Sequence, residues 1–309
     1  MQHMSKTIVF FGSGPVAAKC LAKLITWQPI ELVVTKRRPA HHKDPAPVEQ
    51  LAINENLKLE FADNKLELDE LIHKSEPNSL LAVVIDYGVI ISQQTIDYFP
   101  LGILNSHFSL LPHWRGADPI TYSILSGQKE TGVSIMQITA GLDEGPLLMT
   151  GKIEVGERNS TELTSELINV SDGLLKILLE PYMDTNKQVT PFQQDLSQIV
   201  TFSRKLTKQD GQIDTNKTAT ELCREIRAFI QWPKSKINLN NKVDIVVTKA
   251  RPVNKSLKIN EVLVENNEVF IGCRVDALKI EKLKPAGKKE MDTSSFLNGY
   301  RDLFEFSSK

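Results

Sequence analysis

The chain has 309 residues, 41% of them hydrophobic, which is enough for two globular domains. It contains no run of about 18 apolar residues and its first residues lack the apolar core of a signal peptide, so we expect a cytoplasmic protein without a membrane span. The net charge of -1 divides unevenly, because residues 206–309 carry 19 Lys and Arg against 14 Asp and Glu, and the preceding residues carry 18 against 24.

Apolar strand-like runs alternate with amphipathic stretches through the first half of the chain. This alternation predicts parallel strands joined by crossover helices, and therefore an α/β fold with a Rossmann-like, mostly parallel sheet. The predicted strands are 7–11, 30–35, 80–85, 102–106 and 133–138, and the predicted helices are 15–27, 47–54, 118–126 and 159–179.

The second half begins with a polar segment of little periodicity, residues 184–204, which predicts a linker or surface strap. A helix over 219–230 and five short strands separated by polar turns then predict an OB-like β-barrel. These strands are 236–239, 243–248, 257–264, 269–273 and 277–284. We therefore expect a first domain over 1–183, the linker over 184–204 and an OB-like domain over 205–309.

The first strand leads into a glycine-rich turn. Residues Gly12 to Ala17 read G-S-G-P-V-A, which satisfies a dinucleotide-binding pattern at the start of a predicted helix. Lys36, Arg37 and Arg38 close the second strand, where they could meet the 2′-phosphate of NADP. The alternative is that the glycines only form a tight turn between a strand and a helix. No later residues complete a hydride-transfer site.

The end of the strand predicted at 102–106 carries an amide and an imidazole. Residues two apart in an extended backbone face the same side, so Asn105 and His107 project together while Ser106 projects oppositely. Open α/β sheets bind ligands at the carboxyl ends of their strands. An amide beside an imidazole there offers two hydrogen-bond donors to a developing oxyanion, and the imidazole can carry a proton near neutral pH.

A later loop, residues 139–146, places two carboxylates between glycines. The glycines let the backbone bend, so that a carboxylate could reach the imidazole from a neighbouring strand. Asp143, which follows an apolar residue, is a better candidate for facing inward than Glu144. Taken singly, an aspartate in such a loop is most often a turn residue and a histidine at a strand end is most often structural. The combination favours a catalytic site.

These segments together resemble a family signature. The string N-S-H-F-S-L-L-P over 105–112, the R-G pair after it and the later G-L-D-E-G resemble the signature of the 10-formyltetrahydrofolate-dependent formyltransferases. The resemblance implies that Asn105, His107 and Asp143 are catalytic. It also implies that 10-formyltetrahydrofolate is the formyl donor. This chemistry needs no metal, and the sequence shows no cluster of metal ligands.

The same resemblance implies where folate binds. Segment 86–90 resembles the loop that receives the pterin in that superfamily, although without the family it is simply a strand end with a turn. The folate-binding candidates are Asp86, Tyr87, Gly88, Val89, Ile90, Ser109, Leu110, Leu111 and Pro112.

The second domain indicates the acceptor. K-L-T-K at 205–208, I-R-A-F at 226–229 and L-K-P-A-G-K-K-E-M at 283–291 closely resemble the methionyl-tRNA formyltransferase family. This resemblance spans nearly the whole chain and implies charged initiator tRNA as the partner. In that family the terminal OB-like domain contacts tRNA, which agrees with the positive balance of residues 206–309. The tRNA-binding candidates here are Lys284, Lys288 and Lys289, unless they form only a solvated tail.

The loop after the second predicted strand departs from the family. It is usually a Gly- and Arg-rich insertion that reaches the acceptor stem, whereas here it keeps the charge and lacks the glycines. Its tRNA-binding candidates are Lys36, Arg37, Arg38 and Lys43. Asp86, His113 and Asp118 also differ from the residue types that the family usually has at these positions.

A mechanism follows from these assignments. We expect the free amine of the aminoacyl ester to attack the formyl carbon while Asn105 and His107 donate hydrogen bonds to the formyl oxygen. Asp143 would orient the imidazole and relay the proton of the amine through water.

Three alternatives remain open at this point. An amino-sugar N-formyltransferase would share the first domain, a formyltetrahydrofolate hydrolase would use water as the acceptor, and an NADP-binding, RNA-associated protein would have no transferase chemistry. The three cysteines are far apart and lack metal-ligand spacing, so we expect neither a disulfide nor a metal site. We also expect a monomer that does not bind membranes.

Overall fold

A buried apolar strand followed by a glycine-rich turn begins the fold. The structure, a computed structural model, describes residues 6–38, 45–184, 187–239 and 243–300. The first strand, β1 (Ile8–Phe11), is buried throughout. Gly14 is the N-cap of α1 (Pro15–Leu24), and proline suits the first helical position because an N–H there would have no intrahelical partner.

Helices and strands then alternate up to residue 203. In chain order the elements after α1 are β2 (Ile30–Thr35), α2 (Pro47–Asn54), β3 (Leu59–Phe61), α3 (Lys65–Ser75), β4 (Ala82–Val84), α4 (Gln93–Tyr98), β5 (Ile103–His107), β6 (Arg115–Gly116), α5 (Pro119–Leu125), β7 (Glu130–Gln137), β8 (Leu147–Glu154), α6 (Ser160–Met183) and β9 (Phe202–Ser203).

The larger sheet within the described residues has the strand order β3-β2-β1-β4-β5-β7-β8. The first five of these strands pair in parallel, whereas β7 runs antiparallel to β5 and β8 runs antiparallel to β7. The predicted α/β class with a mostly parallel sheet is confirmed. The reversal at β7 differs from the parallel pairing that the alternation suggested, because a buried strand has the same apolar pattern in either direction.

Helices cover both faces of this sheet. On one face, apolar side chains of β1, β2 and β4 pack with residues of α3 and α4, including Leu68 and Ile96, in one buried cluster. On the other face, α6 lies over β5, where the hydroxyls of Ser171 and Ser106 are 2.7 Å apart. The sheet thus presents β5 from the middle of a layered core, which makes it a rigid support for side chains at its end.

The helix predicted at 159–179 begins and ends differently. The side chain of Asn159 accepts hydrogen bonds from the backbone N–H groups of Thr161 and Glu162, which caps the first turn of α6. The helix continues to Met183 and contains Pro181, which we expected to follow its end. Between β1 and α6, the elements β3, α3, α4, β6 and β8 lie where we made no prediction.

The chain divides into two compact units that are discontinuous in sequence. Of the described residues, the first unit takes those within Met1–Pro119, Glu130–Glu154 and Thr164–Ser203. The second takes those within Ile120–Lys129, Val155–Leu163 and Arg204–Lys309. Two short segments that precede the predicted linker therefore belong to the second unit. None of the helices in the described ranges is long and apolar enough to span a membrane.

After a 3₁₀ turn (Lys208–Gly211), the second unit consists mainly of antiparallel strands. Its remaining elements are α7 (Ala219–Ala228), β10 (Ser235–Leu239), β11 (Val243–Val253), β12 (Val262–Glu265), β13 (Glu268–Gly272), β14 (Ala277–Pro285), β15 (Met291–Asp292) and α8 (Thr293–Tyr300). The strand order is β10-β11-β14-β13-β12, with β15 beside β14. Apolar residues of α7, α8 and the strands, including Leu222 and Phe296, share one buried cluster. An antiparallel β domain at the C-terminal end agrees with the predicted fold class.

Candidate active site

Strand β5 carries the two polar residues of the predicted site on one face. Asn105 is partly exposed, and the side chain of His107 is only 6% exposed. Ser106 between them faces α6, where its hydroxyl meets that of Ser171. Successive side chains of an extended backbone point to opposite faces. Ser106 therefore contacts the helix, while Asn105 and His107 face the loop that contains Asp143.

Asp143 brings these side chains together. One carboxylate oxygen, Oδ1, accepts a 3.2 Å hydrogen bond from Nδ2 of Asn105. The other, Oδ2, accepts a 2.7 Å hydrogen bond from the backbone N–H of Gly116 and lies 3.7 Å from Nδ1 of His107. The Asp143 side chain is only 11% exposed, so these partners replace most of its contact with water. The three residues predicted to be catalytic form one contact set.

The imidazole of His107 lies between two acceptors. Its Nε2 is 3.0 Å from the backbone carbonyl oxygen of Trp114, and that oxygen can only accept, so Nε2 must carry the hydrogen. Its Nδ1 faces the carboxylate of Asp143. Only the doubly protonated imidazolium has a hydrogen to direct at both acceptors. The geometry is therefore suited to a histidine that donates a hydrogen bond or a proton.

Three backbone positions in or next to this set have positive φ angles, which are 57° at Trp114, 108° at Gly116 and 50° at Asp143. A Cβ atom at Gly116 would lie 2.5 Å from the carbonyl oxygen of Ser203, so this close approach requires glycine. Such conformations persist only where the surrounding structure holds them.

The sequence reasoning missed two side chains that support the Asp143 loop. Arg115 is 6% exposed and donates to Oε1 of Glu144 at 3.0 Å and to Oε1 of Gln194 at 2.8 Å. Gln194 donates in turn to the backbone carbonyl oxygens of Asp143 and Gly145, at 2.8 and 3.0 Å. Arg115 belongs to the quoted R-G pair, but nothing in the pattern of residues 184–204 marked Gln194.

The candidate folate segment 86–90 directly follows β4. The ring of Tyr87 stacks on Phe11 with 5.8 Å between centroids, and its hydroxyl donates to the carbonyl oxygen of Ala62. Burial raises the pKa of Tyr87 well above its usual value. This side chain therefore anchors the segment from inside, whereas Ile90, 79% exposed, faces outward.

Asp86, the first residue of this segment, also binds the backbone N–H groups of the glycine-rich turn. The carbonyl oxygen of Asp86 accepts hydrogen bonds from the N–H groups of Ser13 and Gly14, at 3.0 and 3.2 Å. Its carboxylate is packed so tightly against Gly14 that a Cβ there would lie 1.7 Å from Oδ2. A dinucleotide phosphate needs these N–H groups, so the turn is not built for the NADP alternative.

Residues 109–112 form the turn that follows β5. Ser109 is fully buried and its hydroxyl donates to the carbonyl oxygen of His113. The backbone N–H of Leu111 donates to the hydroxyl of Ser134 at 3.1 Å, and the bond to Pro112 is cis. Leu110 is partly exposed. Among these four folate candidates, Ser109, Leu111 and Pro112 are buried and shape the turn.

The tRNA candidates lie in two places. The guanidinium of Arg37 pairs with Asp63 at 2.8 Å and with Glu67 at 2.6 Å, and these hydrogen bonds raise its pKa. The backbone N–H of Lys36 donates to the hydroxyl of Ser13. Lys43 lies outside the described residues. The remaining candidates are all exposed: Arg38 follows Arg37, and Lys284, Lys288 and Lys289 lie in the second unit.

Within the part of the chain that the structure describes, no three His, Cys, Asp or Glu side chains are grouped to hold a metal ion. The carboxylate of Asp143 instead accepts hydrogen bonds from donors of the chain itself, Asn105 and Gly116.

Comparisons with known proteins match both halves of the chain. Residues 5–171 match the family described as Formyl transferase, and residues 205–301 match Formyl transferase, C-terminal domain. A methionyl-tRNA formyltransferase of Pseudoalteromonas translucida is 31% identical, with 96% of this chain and 94% of the relative covered. One from Methylococcus capsulatus is 32% identical, with 95% and 96% covered.

Solved structures with the same fold are more distant. An N-formyltransferase from Helicobacter canadensis, in complex with folinic acid and dTDP-3-aminofucose, is 19% identical with a TM-score of 0.66, covering 90% of this chain and 99% of that one. HypX from Aquifex aeolicus, in complex with tetrahydrofolic acid, is 14% identical with a TM-score of 0.63. That match covers 95% of this chain and 47% of HypX. At these identities the likeness shows a shared fold.

Proposed function

The chain belongs to the formyl transferase family, and on that premise we propose that it transfers the formyl group of 10-formyltetrahydrofolate to the free amino group of methionyl-tRNA. The product is N-formylmethionyl-tRNA, which serves translation initiation. The observation that carries the chemistry is the contact set of Asn105, His107 and Asp143. The acceptor is supported by relatives named methionyl-tRNA formyltransferase that align over nearly the whole chain.

Asn105 supplies a donor at the reacting centre. Among the described residues its amide makes one hydrogen bond, to Asp143, which leaves its second N–H for an incoming oxygen. Bound formyltetrahydrofolate supplies a carbonyl carbon for attack by the amine. Because negative charge develops on the formyl oxygen during that attack, a preorganised donor stabilises the transition state more than the ground state.

His107 supplies the second donor once the substrate arrives. Both ring nitrogens face acceptors in the present geometry, so donation to the formyl oxygen requires exchange of one of them, and the neutral carbonyl of Trp114 is the weaker partner. Asp143 then keeps the ring oriented through Nδ1. Its carboxylate would also accept, through water, the proton that the amine loses. That proton would pass to N10 of the folate as the bond between N10 and the formyl carbon breaks and tetrahydrofolate leaves.

The folate site that we propose lies beside β5. The backbone of residues 86–90, held from inside by Tyr87, and the turn 109–112 follow the ends of neighbouring strands β4 and β5. Two exposed apolar side chains, Ile90 and Leu142, lie on the segment that follows β4 and on the Asp143 loop. An apolar lining with a few fixed polar groups is what a planar heterocycle with a reactive carbonyl requires.

For tRNA we propose contacts from the loop that begins at Lys36 and from Lys284, Lys288 and Lys289. These cations precede and follow the catalytic residues in sequence, and phosphate contacts from Lys and Arg supply affinity that is independent of base sequence. We further propose that the enzyme acts as a monomer in the cytoplasm, where charged tRNA and folate are both present.

A formylation assay with two charged tRNAs tests the proposed function. The chain is incubated with 10-formyltetrahydrofolate and either charged initiator tRNA or charged elongator tRNA, and N-formylmethionine is measured. We expect formylation of initiator tRNA at a much higher kcat/KM. Release of formate without tRNA would instead indicate a hydrolase, and formylation of an amino-sugar nucleotide in place of tRNA would indicate a sugar N-formyltransferase.

A further inference from the structure

Residues 191–203, which we call the strap, lie along the first unit between its catalytic segments. The backbone groups of Phe192 and Leu147 exchange hydrogen bonds of 2.8 and 2.7 Å, which fixes one end of the strap beside β8. At the other end β9 pairs in parallel with β6. The strap is thus bonded on either side of the Asp143 loop.

Gln194 is the part of the strap that reaches the Asp143 loop. It is 6% exposed, while its neighbour Gln193 is exposed. Its amide nitrogen donates to the carbonyl oxygens of Asp143 and Gly145, and its amide oxygen accepts from Arg115. Of the three polar contacts of this buried amide, two are therefore with the loop and one is with Arg115.

These contacts stabilise a loop whose backbone conformation is unfavourable. Asp143 adopts a left-handed φ of 50°, which costs free energy for a residue other than glycine. A single amide that holds carbonyl oxygens two residues apart fixes the path of the backbone across this position. Arg115 adds a third point through Glu144, on the residue between them.

The other end of the strap, at Thr201 and Ser203, contacts the backbone of Trp114 and Gly116. The hydroxyl of Thr201 accepts from the N–H of Trp114 at 2.8 Å, and Trp114 is the residue whose carbonyl contacts His107. Gly116, whose N–H donates to Asp143, lies against the carbonyl of Ser203. The strap therefore contacts backbone next to both the carboxylate and the imidazole.

We propose that Gln194 is a positioning residue that sets the Asp143 carboxylate for catalysis, with Arg115 holding the amide of Gln194 in the orientation that donates to the loop. The inference deepens the proposed function and rests on it for its kinetic test. Gln194 acts through Asp143 and does not touch the reacting atoms.

The kinetic test uses the full chain with Gln194→Glu. This substitution keeps the length of the side chain and an acceptor for Arg115, but it places a carboxylate oxygen where two carbonyl oxygens need a donor. We expect kcat to fall roughly tenfold to a hundredfold, as for other groups that orient a reacting residue, while the KM for formyltetrahydrofolate stays within about twofold. The matched control, Gln193→Glu on the exposed neighbour, should retain the wild-type kcat. Equal kcat in the two variants would overturn the proposal.

A double-mutant cycle separates positioning from a general loss of structure. If Gln194 acts through Asp143, then Gln194→Glu should lower kcat much less in an Asp143→Asn background than in the wild type. Multiplicative effects of the two substitutions would show that Gln194 acts elsewhere and would overturn the proposal. Gln194→Met, which keeps the volume and removes every polar contact, gives a second variant if Gln194→Glu does not fold.

Hydrogen exchange provides a readout that does not depend on the acceptor. The amide of Gly116 donates to Asp143, so loosening the carboxylate should speed deuterium uptake in a peptide that covers residues 114–117. We expect faster uptake in Gln194→Glu than in Gln193→Glu, and unchanged uptake would overturn the proposal. Failure of the wild type to formylate charged tRNA would refute the proposed function alone, because this exchange measurement would still decide whether Gln194 holds the loop.

Discussion

The backbone N–H of Gly116 donates a 2.7 Å hydrogen bond to Oδ2 of Asp143. The same oxygen faces the imidazole of His107, and Oδ1 faces the amide of Asn105. The main-chain donor fixes the rotation of the carboxylate, so that each oxygen has one side-chain partner. Since only glycine allows the backbone to pass this close to Ser203, the R-G pair has a structural role next to the candidate site.

Removing either donor should lower turnover. We expect Asn105→Ala and His107→Ala each to reduce kcat by roughly a hundredfold or more, since loss of one oxyanion donor costs about 2.7 to 4 kcal/mol of transition-state stabilisation. Folate binding should persist because the fold is unchanged. Ser106→Ala is the control, because this residue faces α6 and should keep turnover close to the wild type. Near-normal kcat in His107→Ala or Asn105→Ala would remove that residue from the mechanism.

The charge of Asp143 should matter beyond its shape. In Asp143→Asn, the new amide group must direct an N–H₂ at one of two donors, Asn105 or Gly116, and it cannot attract a charged imidazole. We expect kcat to fall at least tenfold, as in groups that orient a catalytic histidine. Steady-state kinetics measures this. Asp97→Asn, on α4, is the matched control, and a similar kcat in both variants would assign the Asp143 loop a purely structural role.

Gly116 should tolerate no side chain. Gly116→Ala would place its Cβ 2.5 Å from the carbonyl oxygen of Ser203 at a φ of 108°, so we expect a loss of about 1 to 3 kcal/mol in the free energy of unfolding together with lower kcat. Denaturant unfolding measures the first effect. Gly173→Ala is the control, because it lies within α6 with no atom within 4 Å of the added Cβ and should raise stability slightly. A fully stable, active Gly116→Ala would contradict this account.

The basic loop after β2 should act on tRNA and not on folate. We expect simultaneous replacement of Arg37 and Arg38 by Ala to raise the KM for charged tRNA and to leave the KM for folate nearly unchanged. Arg37 is already paired with Asp63 and Glu67, so Arg37→Ala alone should have a smaller effect than the double replacement. Equal changes in both Michaelis constants would indicate a distorted edge of the sheet instead.

The three lysines of the second unit should contribute salt-dependent affinity. Replacing Lys284, Lys288 and Lys289 by Ala should weaken tRNA binding and reduce the salt slope by roughly 0.9 for each phosphate that is no longer neutralised, without changing kcat at saturating tRNA. Binding measured at two salt concentrations tests this. Point substitution is preferable to truncation near residue 205, because segments 120–129 and 155–163 belong to the same unit as these lysines.

The matched control for that experiment removes the same charge elsewhere. Lys19, Lys74 and Lys152 are exposed lysines of the first unit, and their combined replacement by Ala should leave the salt slope unchanged. If both triple variants bind tRNA with the same reduced affinity and the same change in slope, the effect follows net charge, and the second unit is not a specific platform for tRNA.

Local pattern predicted much of the secondary structure. The helix at 47–54 and the strand at 30–35 have the predicted bounds, because amphipathic periodicity and buried β-branched runs are local properties. The three-residue strand β3 and the helix α3 were not predicted. β3 is too short to show an alternation of apolar and polar residues. α3 contains few buried residues, so the sequence of this helix resembles that of a polar loop.

The sequence by itself determined which residues form the candidate site, since the alternation of β5 placed Asn105 and His107 on one face and the family resemblance added Asp143. Only the tertiary structure decided how they are held. β7 runs antiparallel to β5, so Gln137 pairs with Leu104 near the start of β5, and the loop that follows must fold back for Asp143 to reach Asn105 and His107. The groups that keep it there are the N–H of Gly116, the carbonyl of Trp114 and the amide of Gln194. Backbone groups are the same at every residue, so the sequence does not mark which of them will bind a side chain. Gln194 lies 51 positions from Asp143, so its contact with the loop depends on the tertiary fold and leaves no local pattern in the sequence.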